Sequence, residues 1–184
     1  LTSSAAIYQV DQTNTALPDP AFPNGPYSIN AGKARVRGFE IKLSGDVLPG
    51  WNITTGYTNN DAQYLNAGSD PYASSFTQTA PHSQFSLWTN YRLPNRFKKW
   101  QVGGGTVANS TTKQNIFRQG GYATVDARFS YDITDKITFA MNATNIFDTD
   151  YYQNAQVRGA PAKVLFSLRF PLTKGLPHRQ DALR

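Results

Sequence analysis

Hydrophobic and polar residues alternate with a period of two along most of the chain, the spacing of a β-strand whose two faces meet different surroundings. Near the C-terminus, Val164, Phe166, Leu168 and Phe170 alternate with Leu165, Ser167 and Arg169. Phe39, Ile41 and Leu43 oppose Glu40, Lys42 and Ser44 in the same way. So do Phe85, Leu87, Tyr91 and Leu93 against Gln84, Ser86, Asn90 and Arg92. Val125, Ala127, Phe129 and Tyr131 oppose Asp126, Arg128, Ser130 and Asp132, and Ile137, Phe139, Met141 and Ala143 oppose Thr138, Asn142 and Thr144. The alternation is weaker around Ile53 and Tyr57, and the glycines of "WQVGGGTVANS" blur it. These runs predict eight strands near 5–13, 33–46, 51–63, 80–93, 100–110, 121–133, 136–148 and 161–171.

The connections alternate in length. Long ones fall near 14–32, 64–79, 111–120 and 149–160, and short ones are "VLPGW", "LPNRFKKW" and "ITDK". An up-and-down meander with short turns at one end and long loops at the other is the pattern of outer-membrane barrels. A tilted strand crosses a bilayer in about 9–11 residues, whereas globular strands average about 5–6. The expected runs have the membrane length. Trp51, Tyr91, Trp100, Tyr131 and Phe170 gather beside the short turns, where an aromatic girdle meets the interface. The greasy face is therefore expected to look at lipid and the polar face to line a lumen. A soluble sandwich with the same aromatics in its core is the alternative arrangement.

Composition narrows this further. Apolar residues make up 39% of the 184, and no run is long enough for a membrane helix. A barrel tolerates such low hydrophobicity because only alternate residues touch lipid. The sequence has no cysteine, which excludes disulfides and thiolate chemistry. The formal net charge of +6 is scattered rather than gathered on a basic helix, so no nucleic-acid partner is expected. Leu1 is not preceded by a visible signal peptide, which suggests processing or a piece of a longer chain. No catalytic constellation stands out. His82 and His178 are isolated, and Asp148 and Asp150 in "FDTDYY" lack the glycine and distal glutamate of a calcium loop. The "GGG" of 103–105 has no phosphate-loop context and reads as close packing or bending of a strand. The long connections carry aromatics and a cation, among them Tyr64, Tyr72, Phe117, Tyr122, Tyr151, Tyr152 and Arg158. Such side chains suit a planar or chelating ligand with some negative charge.

Four segments resemble TonB-dependent outer-membrane receptors of the ferric-siderophore branch. In 29–58, Gly32, Lys33, Arg35, Gly38, Phe39 and Glu40 fill a family strand that runs through Leu48, Pro49, Gly50 and Trp51. "YRLPNRFKKWQVGGGT" is similar to a family hairpin. In 121–152, Asn142, Asn145, Phe147, Asp148, Tyr151 and Tyr152 match the end of the penultimate hairpin, and "RGAPAKVLFSLRF" is similar to the closing strand.

The resemblance implies an all-β, antiparallel barrel segment over 1–171, eight of about 22 strands, followed by a basic tail, 172–184, expected to be disordered. It implies part of a receptor that binds and imports a ferric siderophore in a TonB-dependent manner in the bacterial outer membrane. The expected partners are the ferric siderophore, outer-membrane lipid and the TonB complex. TonB would be met through a plug domain with no counterpart in this sequence, so the chain alone is expected not to transport. Iron would travel inside the siderophore, with no cofactor and no metal site on the chain. Glu40, Lys42, Asp126, Arg128 and Asn142 would line the lumen or hold the plug. Two other readings remain: a complete eight-stranded barrel with an adhesion or anchoring role, and a soluble carbohydrate-binding sandwich. The first requires the first and last strands to pair, and the second a dry interior.

Overall fold

The computed structural model describes residues 1–19, 21, 26–65, 80–114, 117–154 and 157–171. In chain order the strands are β1 (Thr2–Pro18), β2 (Ser28–Leu48), β3 (Trp51–Tyr64), β4 (Ser83–Arg92), β5 (Trp100–Asn109), β6 (Thr112–Gln114) and β7 (Phe117–Gln119). They continue with β8 (Tyr122–Asp132), β9 (Thr138–Thr144), β10 (Tyr152–Asn154), β11 (Val157–Arg158) and β12 (Lys163–Arg169). Eight of them form one antiparallel sheet in the order β1-β2-β3-β4-β5-β8-β9-β12. This is the expected meander. The long connections at 111–120 and 149–160 are not plain loops, because each contains a small hairpin, β6–β7 and β10–β11.

The register sorts the side chains. One row on the apolar face runs from Tyr91 to Val102, Phe129, Met141 and Phe166, each opposite the next. One residue along, the other face runs Asn90, Gly103, Arg128, Asn142 and Leu165. No second layer covers the apolar face among the described residues. Ile7 is 92% exposed, Phe39 38% and Phe166 63%. The buried apolar residues in the described set are Ala34, Ala62 and Ala140, and the register puts all three on the polar face. The polar face is thus the concave one. This inversion of a soluble protein fits a sheet whose solvent on one side is lipid.

At the short-turn end, the Trp51 and Tyr91 rings meet edge-on at 6.2 Å. Trp51 Nε1 donates to Thr89 Oγ1 at 2.7 Å. Trp100 lies 4.5 Å from Tyr131 and 5.1 Å from Phe129. The β2–β3 turn relies on Gly50, whose φ of 79° disfavours side chains.

Several boundaries differ from expectation. β1 and β2 extend well beyond 5–13 and 33–46. Within the expected spans, β1 and β2 carry polar and charged residues on the outward face instead of hydrocarbon near Asp11 and Arg35, and cross-strand pairs join them. Arg35 Nε lies 2.5 Å from Asp11 Oδ1, and Arg37 Nε donates to Gln9 at 2.9 Å. β9 stops at Thr144 rather than 148, because Asn145 turns the backbone left-handed at φ 50°.

β1 and β12 are the two edges and do not pair with each other among the described residues. The closed eight-stranded alternative required that pairing. The sandwich alternative required a dry interior, which the exposed apolar face denies. The expected tail at 172–184 lies outside the described residues.

The triple glycine is a packing device. A Cβ on Gly105 would overlap the Trp88 indole, and one on Gly103 would overlap the Asn90 side chain. Gly38 likewise makes room for the hydroxyl of Tyr8, which bonds to Asn60.

Candidate functional site

The long connections end in a compact assembly built on Asn145, which is only 3% exposed. Its Nδ2 donates to the carbonyls of Thr149 and Ala160, each at 3.0 Å, and its Oδ1 accepts from Thr149 N at 2.9 Å. Asn145 N donates to Asp126 Oδ1 at 2.8 Å, tying the knot to β8. Asp148, also left-handed at φ 50°, accepts Ala162 N on Oδ1 at 2.8 Å. Asparagine and aspartate tolerate this backbone, and their short side chains reach nearby main-chain groups. One buried amide thus closes the loop that carries β10 and β11.

Closure brings the aromatics together. Tyr122 and Tyr151 stack with centroids 4.4 Å apart and planes 19° from parallel. Gly159 sits beneath the Tyr151 ring, where any Cβ would collide with it, and Gly159 N donates to Tyr151 O at 2.7 Å. Phe117 meets Tyr152 edge-on at 5.4 Å, and Tyr152 N donates to Gln119 Oε1 at 3.0 Å, bridging the two small hairpins. Arg158 Nε donates to Asp150 Oδ1 at 2.8 Å. That hydrogen bond and the aspartate charge push the guanidinium pKa above its ordinary value. The cation stays charged at every physiological pH.

Of the sequence-predicted ligand residues, Phe117, Tyr122, Tyr151, Tyr152 and Arg158 therefore belong to one neighbourhood. Tyr72 lies outside the described residues. Tyr64 ends β3 with its backbone opposite Ala34, and its side chain is outside what is described. Asn145 was legible as a motif position, whereas its knot depends on partners up to 19 residues away.

The five residues expected to line the lumen all fall on the concave face by register. Glu40 and Lys42 pair with each other at 3.2 Å, and both remain accessible. Asp126 is committed to the Asn145 backbone. Arg128 and Asn142 stand opposite each other on β8 and β9.

An open sheet with an apolar convex face, a polar concave face and an aromatic cluster at its long-loop end defines a class: part of an outer-membrane receptor barrel. The family model described as TonB dependent receptor-like, beta-barrel matches residues 1–146, and the chain belongs to this family. The ferripyoverdine receptor of Pseudomonas aeruginosa is 29% identical over 191 residues, covering 92% of this chain and 23% of that receptor. The catecholate siderophore receptor Fiu of Escherichia coli K12 is 31% identical over 165 residues, covering 85% of this chain and 21% of that protein. The crystal structure of the ferripyoverdine receptor from the outer membrane of Pseudomonas aeruginosa, bound to ferripyoverdine, aligns with a TM-score of 0.80 at 29% identity. It covers 91% of this chain and 24% of that chain. The chain spans less than a quarter of the length of these relatives.

Proposed function

We propose that this chain forms the C-terminal barrel strands of an outer-membrane receptor that binds and imports a ferric siderophore with energy delivered through TonB. The observation that carries the reading is the inverted sheet: exposed hydrocarbon outside, polar groups inside, and stacked tyrosines where the long loops converge. Relatives named for ferripyoverdine and for catecholate siderophores support the substrate class. Tyr122, Tyr151, Tyr152, Phe117 and Arg158 would contact the chelate, the rings by stacking and the guanidinium by charge. Tyr64 and Tyr72 would join them from the long connection at 64–79. Glu40, Lys42, Arg128 and Asn142 would face whatever fills the lumen. The chemistry is binding and gated passage, with no bond made or broken. Iron arrives inside its chelator, so the chain supplies no metal ligands of its own. Coupling to TonB would pass through a plug domain.

A chimera tests this. The plug and preceding strands come from the ferripyoverdine receptor, and this chain supplies the closing strands. The chimera is expected to assemble in the outer membrane and to take up at least one ferric chelate from a hydroxamate, catecholate and pyoverdine panel, dependent on TonB. An assembled chimera that imports none of them overturns the proposal. The chain alone in liposomes is expected to show no saturable iron uptake.

A further inference from the structure

The concave face carries a small polar pocket at the short-turn end, far along the strands from the tyrosine cluster. Its volume is about 140 Å³, and its walls include Arg92, Arg128 and Arg169 against one acid, Asp132. Asp132 is already engaged. Its Oδ2 accepts from Arg92 Nη1 at 2.8 Å, and its Oδ1 accepts from Thr138 Oγ1 at 2.8 Å. Arg128 and Arg169 have no ion-pair partner among the described residues. Arg128 Nε is buried with no hydrogen-bond acceptor. Ser130 and Ala140, both buried, keep the floor of the pocket low.

A buried guanidinium N–H without an acceptor is costly, and Arg is shaped to grip a carboxylate through paired N–H groups. The pocket is too small for a chelate, since ligand sites of drug-sized molecules occupy about 300–1,000 Å³. It has room for a carboxylate and a short stem. We infer that the Arg92–Arg128–Arg169 pocket receives an acidic side chain from the segment that fills the lumen of the assembled receptor. This rests on the receptor reading, in which a barrel of about 22 strands encloses a plugged lumen. The excess of arginine over aspartate matches such an occupant, and Arg128 Nε supplies a buried donor that has no acceptor.

The full chain refolded in detergent micelles provides the test, with the Nε–Hε resonance of Arg128 followed by NMR. The probes are a capped glutamate peptide, its glutamine twin and acetate. The glutamate peptide is expected to shift the resonance saturably and the glutamine twin to leave it in place. Arg169→Gln and Arg128→Lys, the latter keeping the charge but removing Nε, are expected to weaken peptide binding about tenfold or more, read from backbone amide shifts of β8 and β9. Equal binding of the glutamine twin, or wild-type affinity in both folded variants, overturns the site. Acetate binding as tightly as the peptide would mark a site for free anions and overturn the docking of a segment. The readout does not pass through iron uptake, so a chimera that fails to import leaves this result standing.

Discussion

Replacing Asn145 with alanine should release the loop that holds the tyrosine stack. The substitution removes three side-chain hydrogen bonds, two donated at 3.0 Å and one accepted at 2.9 Å. At about 1 kcal/mol net for each, the loss is roughly 3 kcal/mol. Alanine must also keep the left-handed backbone, φ 50°, which adds about 1 kcal/mol. The total expected is roughly 4 kcal/mol for alanine and roughly 3 kcal/mol for glycine, which bears no backbone strain. Asn145→Asp keeps the acceptor for Thr149 N but turns a carboxylate on two carbonyl oxygens, so it should cost at least as much as alanine. Guanidinium unfolding of the lipid-embedded chimera measures these differences, and limited proteolysis between residues 146 and 162 reports the loop itself. A loss below about 1 kcal/mol for Asn145→Ala, with the loop still protected, would refute the account of the knot.

Faces of the sheet can be tested in pairs. Met141→Arg, in the middle of the outward apolar row, should destabilise the barrel by about 2–4 kcal/mol, while Asn142→Arg, its neighbour on the concave face, should cost far less. The reverse order in an unfolding titration would invert the assigned orientation. Gly105→Ala should impair assembly, because its Cβ would overlap Trp88 and the Leu87 carbonyl; heat-modifiable migration on gels reads this, and wild-type assembly would contradict it. Tyr122→Ala combined with Tyr151→Ala should weaken ferric-chelate binding by the assembled chimera about tenfold, as expected for losing two stacking surfaces. Unchanged chelate affinity by fluorescence quenching would remove these tyrosines from the site.

The meander could be read from the sequence because lipid imposes a strict two-residue period. Phe129, Tyr131, Phe139 and Phe166 announce their face without knowledge of their neighbours. The period fails where strands leave the hydrocarbon. Asp11 and Arg35 sit on the same outward face as Ile7 and Phe39, inside the expected strands, and only the register reveals that they meet. The aromatic cluster was visible as residue types in long connections. Its geometry was not, because it depends on Asn145 reaching Ala160 and on Gly159 lying beneath Tyr151. Asp126 shows the limit of face assignment by alternation. Its side chain is on the concave face as expected, but its Oδ1 accepts from the backbone of Asn145, just beyond the end of β9, a role that alternation does not show.

Glycines on the inner wall have a consequence for how their neighbours lie. At Gly38, Gly103 and Gly105 the side chains of Tyr8, Asn90 and Trp88 recline along the wall instead of standing upright. Each of these side chains covers its glycine, so the wall there is a single flat layer of side chain over backbone. A single added methyl group at any of the three would push that neighbouring side chain off the wall and into the concave space.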